Sequence, residues 1–172
     1  MKKYALYILI SLFSITVSYA HTYRMSTPGK EAIKKHESCK LTAYWDVNGY
    51  SIGYGHHTKD VKKGMKISQR QAEKYFNEDI KKVEAIANRI LKKYKYKFSQ
   101  GFFDGLCDLI YNCGEGGVKR SEFYKRLNKC RISKGKMNQS DLRFTVAAVR
   151  TMKLTAPGHK ARRLATHKMM LS

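Results

Sequence analysis

The chain of 172 residues sets 35 Lys and Arg against 13 Asp and Glu, a formal net charge of +22. Its 42% hydrophobic and 12% aromatic content excludes a disordered basic tail, and its two prolines exclude collagen-like or proline-rich architectures. What remains is a cationic globular domain, long enough to bury a core and drawn to polyanions: phosphate, anionic lipid or anionic wall polymer.

Lys2-Lys3, an apolar run from Tyr4 to Val17 and the closing Ser18-Tyr19-Ala20 have the layout of a secretory signal peptide. The apolar run is shorter than the roughly 20 residues that span a bilayer, so cleavage after Ala20 is expected, with a transient uncleaved anchor as the alternative. Residues 1–20 are then the signal, residues 21–172 one domain, and the location periplasmic or secreted. Export leaves Cys39, Cys107, Cys113 and Cys130 free to pair in any of three ways or to remain thiols. Pairing Cys107 with Cys113 would require a helix break near Asn112 to Gly114, because a continuous helix holds them too far apart. No Cys-x-x-Cys or His-x-x-x-His spacing offers a metal site, and neither metal nor cofactor is expected.

Thr27-Pro28-Gly29 predicts a helix start, with Thr27 as N-cap and Pro28 at the first helical position, and a helix to about Lys40. From Leu41 to His57 the β-formers Tyr44, Trp45, Tyr50, Ile52 and Tyr54, broken by Asn48-Gly49, Gly53 and Gly55, predict a small antiparallel sheet with a hairpin turn at Asn48-Gly49. Ser68 then caps a long helix with apolar residues at Ala72, Tyr75, Phe76, Ile80, Val83, Ile86, Ala87, Ile90 and Leu91. A second apolar helix runs from about Gln100 to Tyr111, closed by Asn112 to Gly117, and Ser121 caps a third. Two more follow, near Ser140 to Thr151 and Gly158 to Met170. One hairpin lobe followed by consecutive helices defines an α+β domain dominated by helix.

Glu37 lies near the end of the first predicted helix and Asp46 on the hairpin that follows it, so the two carboxylates can face each other across a cleft. Glycosidic cleavage uses such a pair, one carboxyl protonated for the leaving oxygen and one ionised to act on water or on positive charge at the sugar carbon. Spacing alone is weak support, since most such pairs are surface charges.

The context is specific. Glu37-x-x-x-Leu41-x-Ala43-Tyr44-x-Asp46-x-x-Gly49-Tyr50-Ser51-Ile52-Gly53-Tyr54-Gly55-His56 resembles the active-site signature of the phage-type lysozymes, or endolysins, of glycoside hydrolase family 24. The likeness continues through Ile67-Ser68-x-x-Gln71-Ala72 with Asp79-Ile80, Phe103-Asp104-x-Leu106, Tyr111-Asn112-Cys113-Gly114, Ser121 with Arg126-Leu127-Asn128, and Pro157-Gly158 with Arg162-Arg163. It covers about Lys30 to Leu171. The resemblance implies a lysozyme-like fold and a muramidase that cleaves the β-1,4 bond between N-acetylmuramic acid and N-acetylglucosamine in peptidoglycan. It implies Glu37 as general acid, Asp46 as second carboxylate and Ser51, where the family usually has Thr, as the hydroxyl that holds the attacking water. That is the geometry of an inverting hydrolase.

Tyr50, Trp45 and Asn112 are candidate substrate-binding residues, although aromatic residues in a small sheet equally serve packing. His56 is expected to bind locally and hold the Glu37 helix against the hairpin, while Asp104 and Glu115 are cleft candidates only if the fold brings them near. Three departures from the family pattern stand out: Ser38 follows Glu37 where glycine is usual, the Asp46 to Ser51 interval is one residue short, and His167 falls where some members are acidic. Relatives lacking the carboxylate and hydroxyl pair act as lytic transglycosylases, the alternative on the same bond. A non-enzymatic cationic wall or membrane binder on the same scaffold is the other. The expected partners are peptidoglycan and, by charge, an anionic wall or membrane surface, with no specific nucleic acid, and the chain is expected to be a monomer.

Overall fold

A computed structural model describes residues 22–152 and 158–172; the expected signal segment and Pro157 lie outside the described residues. The first helix, α1, spans Thr27–Glu37. Its N-cap is Ser26 and not Thr27: Ser26 Oγ accepts from Gly29 N at 3.1 Å and itself donates to Asp104, whose other oxygen accepts from Ser26 N at 3.0 Å. A buried carboxylate on a distant helix thus selects the cap, which local sequence does not reveal. The helix also ends three residues before the expected Lys40, because Ser38 turns to φ 57° and ψ 169° while its N–H still bonds Lys34 O. That reversal sends the chain directly into the sheet.

Strands β1 (Lys40–Asp46), β2 (Gly49–Gly53) and β3 (His56–His57) form an antiparallel sheet in that order. Trp45 pairs with Tyr50, their rings edge to face at 5.2 Å, and Asp46 pairs with Gly49. The aromatic pair therefore fixes the two-residue turn at Val47 and Asn48, one position earlier than Asn48-Gly49 suggests.

The helical lobe follows. Helix α2 (Gln69–Leu91), capped by Ser68, buries Ala72, Phe76, Ile80, Val83, Ala87, Ile90 and Leu91 along one face. Helix α3 (Gln100–Arg120) is the central one and buries every residue from Phe102 to Ile110. It does not stop at Tyr111: it kinks at Gly114, with φ 67°, and continues to Arg120, so the glycines bend the helix without ending it. Helix α4 (Glu122–Leu127) is capped by Ser121 as expected. A second hairpin, β4 (Ile132–Ser133) with β5 (Lys136–Met137), turns through Lys134 and Gly135, both at positive φ. Helix α5 (Gln139–Ala147), a 3-10 turn at Ala148–Thr151 and α6 (His159–Leu171) complete the lobe.

Helices α3 and α6 touch closely at Gly101 and Gly105. The four cysteines are free thiols, Cys107 fully buried and its thiol pushed up by that burial. No described helix is long and apolar enough to cross a membrane.

Candidate active site

Glu37 is the last residue of α1, so its side chain leaves the helix at the mouth of the sheet. Its Oε1 accepts from Arg162 Nη1 at 2.5 Å, and Arg162 gives its Nε and Nη2 to Asp108 Oδ1 at 3.0 and 2.7 Å. Arg162 on α6 is thus a buried guanidinium shared by two carboxylates, one on α3 and one at the end of α1. The Asp108 and Glu37 charges hold it firmly protonated against the cost of burial. Thr166 and Asp108 are hydrogen-bonded as well. The pairing neutralises Arg162 from the core side and fixes which way Glu37 faces.

Strand alternation puts the second half of the site on one face of the sheet. Tyr44 pairs with Ser51, Asp46 with Gly49, and Ser51 with His57, so these side chains point the same way. Ser51 is buried, with Oγ 3.4 Å from Asp46 Oδ2 and 3.2 Å from His57 Nδ1. Asp46 Oδ1 is taken by its own turn, accepting from Val47 N at 2.8 Å. The Tyr44 phenol is pushed up by burial and then by the charges of Asp46 and Glu37, against a hydrogen bond with Ser51. Tyr111 on α3 donates to Tyr54 O at 2.7 Å, tying the end of β2 to the central helix close to Glu37.

Of the three residues the sequence singles out, Ser51 lies beside Asp46 on the sheet, and Glu37 stands at the end of α1 held by Arg162. Trp45 and Tyr50 fall on the opposite face of the hairpin from Asp46 and Ser51, by the same alternation, and Trp45 is 67% exposed there. Asn112 is engaged through its side-chain oxygen by the buried Arg163. His56 ties the sheet to α2 and not to α1: it bonds Asp79 at 2.7 Å and stacks on Tyr75, a correction that follows from its register opposite Ile52 on the buried face. Asp104 braces the start of α1, and Glu115 pairs with Arg89 and Lys119 on the surface, so neither belongs to the cleft.

Sequence reasoning missed Tyr44, His57 and Arg162 as members of the site. Tyr44 and His57 could have been found from the two-residue period through Asp46 and Ser51, whereas no local signal sets Arg162 apart from the other basic residues of α6. Among the described residues no group of three or more His, Cys, Asp or Glu stands together as a metal site.

Comparison with known proteins gives the family and the fold. The phage lysozyme family matches residues 34–165. The chain is 35% identical over 105 residues to an endolysin of Acyrthosiphon pisum secondary endosymbiont phage 1, spanning 60% of this chain and 69% of that one. It is 34% identical over 113 residues to the endolysin of Bacillus phage PZA, 64% of this chain but only 43% of the longer relative. Among solved structures, the endolysin from Escherichia coli O157:H7 phage FAHEc1 superposes with a TM-score of 0.65 at 31% identity, covering 87% of this chain and 94% of that one.

Proposed function

Because the chain belongs to the phage lysozyme family, and is thereby a glycosidase that hydrolyses peptidoglycan, we propose that Glu37, Asp46 and Ser51 carry out the cleavage. The bond is the β-1,4 link between N-acetylmuramic acid and N-acetylglucosamine. Glu37, in its protonated form, gives its proton to the leaving glycosidic oxygen. A water held by Asp46 and Ser51 attacks the sugar carbon from the other side and loses a proton to Asp46, inverting the centre. Arg162 aims Glu37, and Asp108 keeps Arg162 in place. The observation that supports the reading is a pair of carboxylates on adjoining elements, Glu37 at the end of α1 anchored by Arg162 of α6 and Asp46 on the sheet beside the buried Ser51 hydroxyl.

Residues 1–20 serve as an export signal in this proposal, and the positive charge concentrates the enzyme on an anionic wall. Trp45 and Tyr50, on the outer face of the hairpin, then contribute to sheet packing and wall contact more than to the subsites beside Asp46.

The test is the mass of soluble fragments released from purified peptidoglycan by the protein and by Glu37→Gln. Fragments with reducing muramic acid ends are expected, with the variant slower by about 10²- to 10⁴-fold, the usual contribution of a general acid. Anhydro ends would replace hydrolysis by transglycosylation. Equal wall disruption by the variant would replace catalysis by binding.

A further inference from the structure

We propose that His57 is a positioning residue for the attacking water: its Nδ1 accepts a hydrogen bond from the Ser51 hydroxyl and so leaves Asp46 free to act as base. The inference rests on the hydrolytic reading above and assigns within it a residue that the acid, base and hydroxyl set does not include.

Three observations carry it. The Ser51 hydroxyl has one proton and three polar neighbours, His57 Nδ1 at 3.2 Å, Asp46 Oδ2 at 3.4 Å and the Tyr44 hydroxyl. The carboxylate distance is long for a hydroxyl to carboxylate bond, which ordinarily falls at 2.5–3.0 Å, and the Tyr44 phenol has a proton of its own to donate to Oγ, so the Ser51 proton is assigned to the imidazole nitrogen and Asp46 Oδ2 remains open. Next, the imidazole has a prepared seat. A Cβ at Gly49 would lie 3.0 Å from His57 Cε1, so the glycine opposite Asp46 lets the ring lie across β2 beside Ser51. Finally, His57 sits in register with Ser51 on β3, so its reach is set by a strand pair and not by a loop.

The consequence follows from hydrogen-bond capacity. Neutral imidazole with its proton on Nε2 presents Nδ1 only as an acceptor. With Ser51 donating to it, the remaining lone pair of Oγ accepts one water hydrogen while Asp46 Oδ2 accepts the other, and the water's lone pair points at the sugar carbon. As the new C–O bond forms, the water proton passes to Asp46, the glycosidic C–O bond breaks, and the leaving oxygen takes the Glu37 proton. Without His57 the Ser51 hydroxyl turns to Asp46 and occupies the oxygen that must receive the proton. A serine needs this hold more than a threonine, because it lacks the second Cβ substituent that restricts χ1.

The experiment is a set of variants assayed on soluble peptidoglycan fragments for kcat and KM, with product ends read by mass and folding by Tm. His57→Leu is expected to lower kcat about ten-fold at unchanged KM and Tm, less than loss of the base itself. His57→Asn, which can place a side-chain oxygen acceptor near the Nδ1 position, recovers most of the rate. In a Ser51→Thr background the His57→Leu loss shrinks to less than about three-fold, because the branched side chain fixes its own rotamer. An unchanged kcat in His57→Leu overturns the proposal. So does a loss equal in both backgrounds and equal for Leu and Asn, which would mark His57 as a strand-packing residue. Anhydro ends from the parent protein would overturn the hydrolytic reading instead, and the same spectra report them.

Discussion

Ser38 follows Glu37 with φ 57° and ψ 169°, a region of backbone space that is nearly closed to residues carrying a Cβ. The conformation is imposed: α1 must end at Glu37 and β1 must begin at Lys40 for the acid to face the sheet. Strain of this type costs about 1–3 kcal/mol, and glycine removes it while losing about 0.5–1 kcal/mol to the unfolded chain's freedom. Ser38→Gly is therefore expected to raise stability by about 1 kcal/mol, seen as a higher urea midpoint with unchanged m, while leaving kcat close to that of the parent. A lower midpoint would mean that the serine is held there by something stronger than the strain. The candidate site was legible where it was local: Glu37, Asp46 and Ser51 lie within one continuous segment whose spacing is dictated by one helix end and one hairpin. Arg162 and Asp108 were not, because their partnership spans 54 residues and exists only after α6 has packed on α3.

At the scale of elements, the approach of α6 to α3 decides where Arg162 stands. Gly105 lies against α6 so closely that a Cβ there would come 2.2 Å from Met170 Cγ and 3.3 Å from Thr166 O. Met170 can bend away, but the Thr166 carbonyl is helix backbone and moves only with α6. Gly105→Ala is expected to cost about 1–3 kcal/mol as overpacking, lowering Tm by about 2–4 °C per kcal/mol in a chain of this size. Because the same displacement carries Arg162 away from Glu37, the variant should also lose activity at temperatures where it remains folded. Thermal unfolding beside a fragment-release assay checks both effects, and a fully active, fully stable Gly105→Ala would show that the two helices have slack. The sequence pattern located α2, α3 and the caps Ser68 and Ser121, since those signals are periodic or adjacent. It placed the first cap on Thr27, because the choice of Ser26 depends on Asp104, and it passed over the β4 to β5 hairpin, whose strands are only two residues each.

For the whole molecule the net charge of +22 is the dominant feature, and the family's reaction gives no reason for it, since a β-1,4 bond between two sugars needs one acid and one base. The buried ion pairs use little of it: Arg162 is matched by Glu37 and Asp108 in the interior, and Asp79, Glu73, Glu115 and Asp141 each already meet a basic partner. Among the described residues the excess therefore lies on the surface, where its field reaches about 8 Å at physiological ionic strength and less as salt rises. A field of that kind acts on encounter and residence at a polyanionic surface and does nothing for the bond-breaking step inside the cleft. The rate of lysis of intact walls should consequently fall steeply between low and high salt, while cleavage of a short uncharged oligosaccharide by the same protein changes little. Parallel salt titrations of the two substrates measure the difference directly. If both rates fall together, the salt acts on the Glu37, Arg162 and Asp108 cluster or on the fold, and the surface charge is without influence on catalysis at the wall.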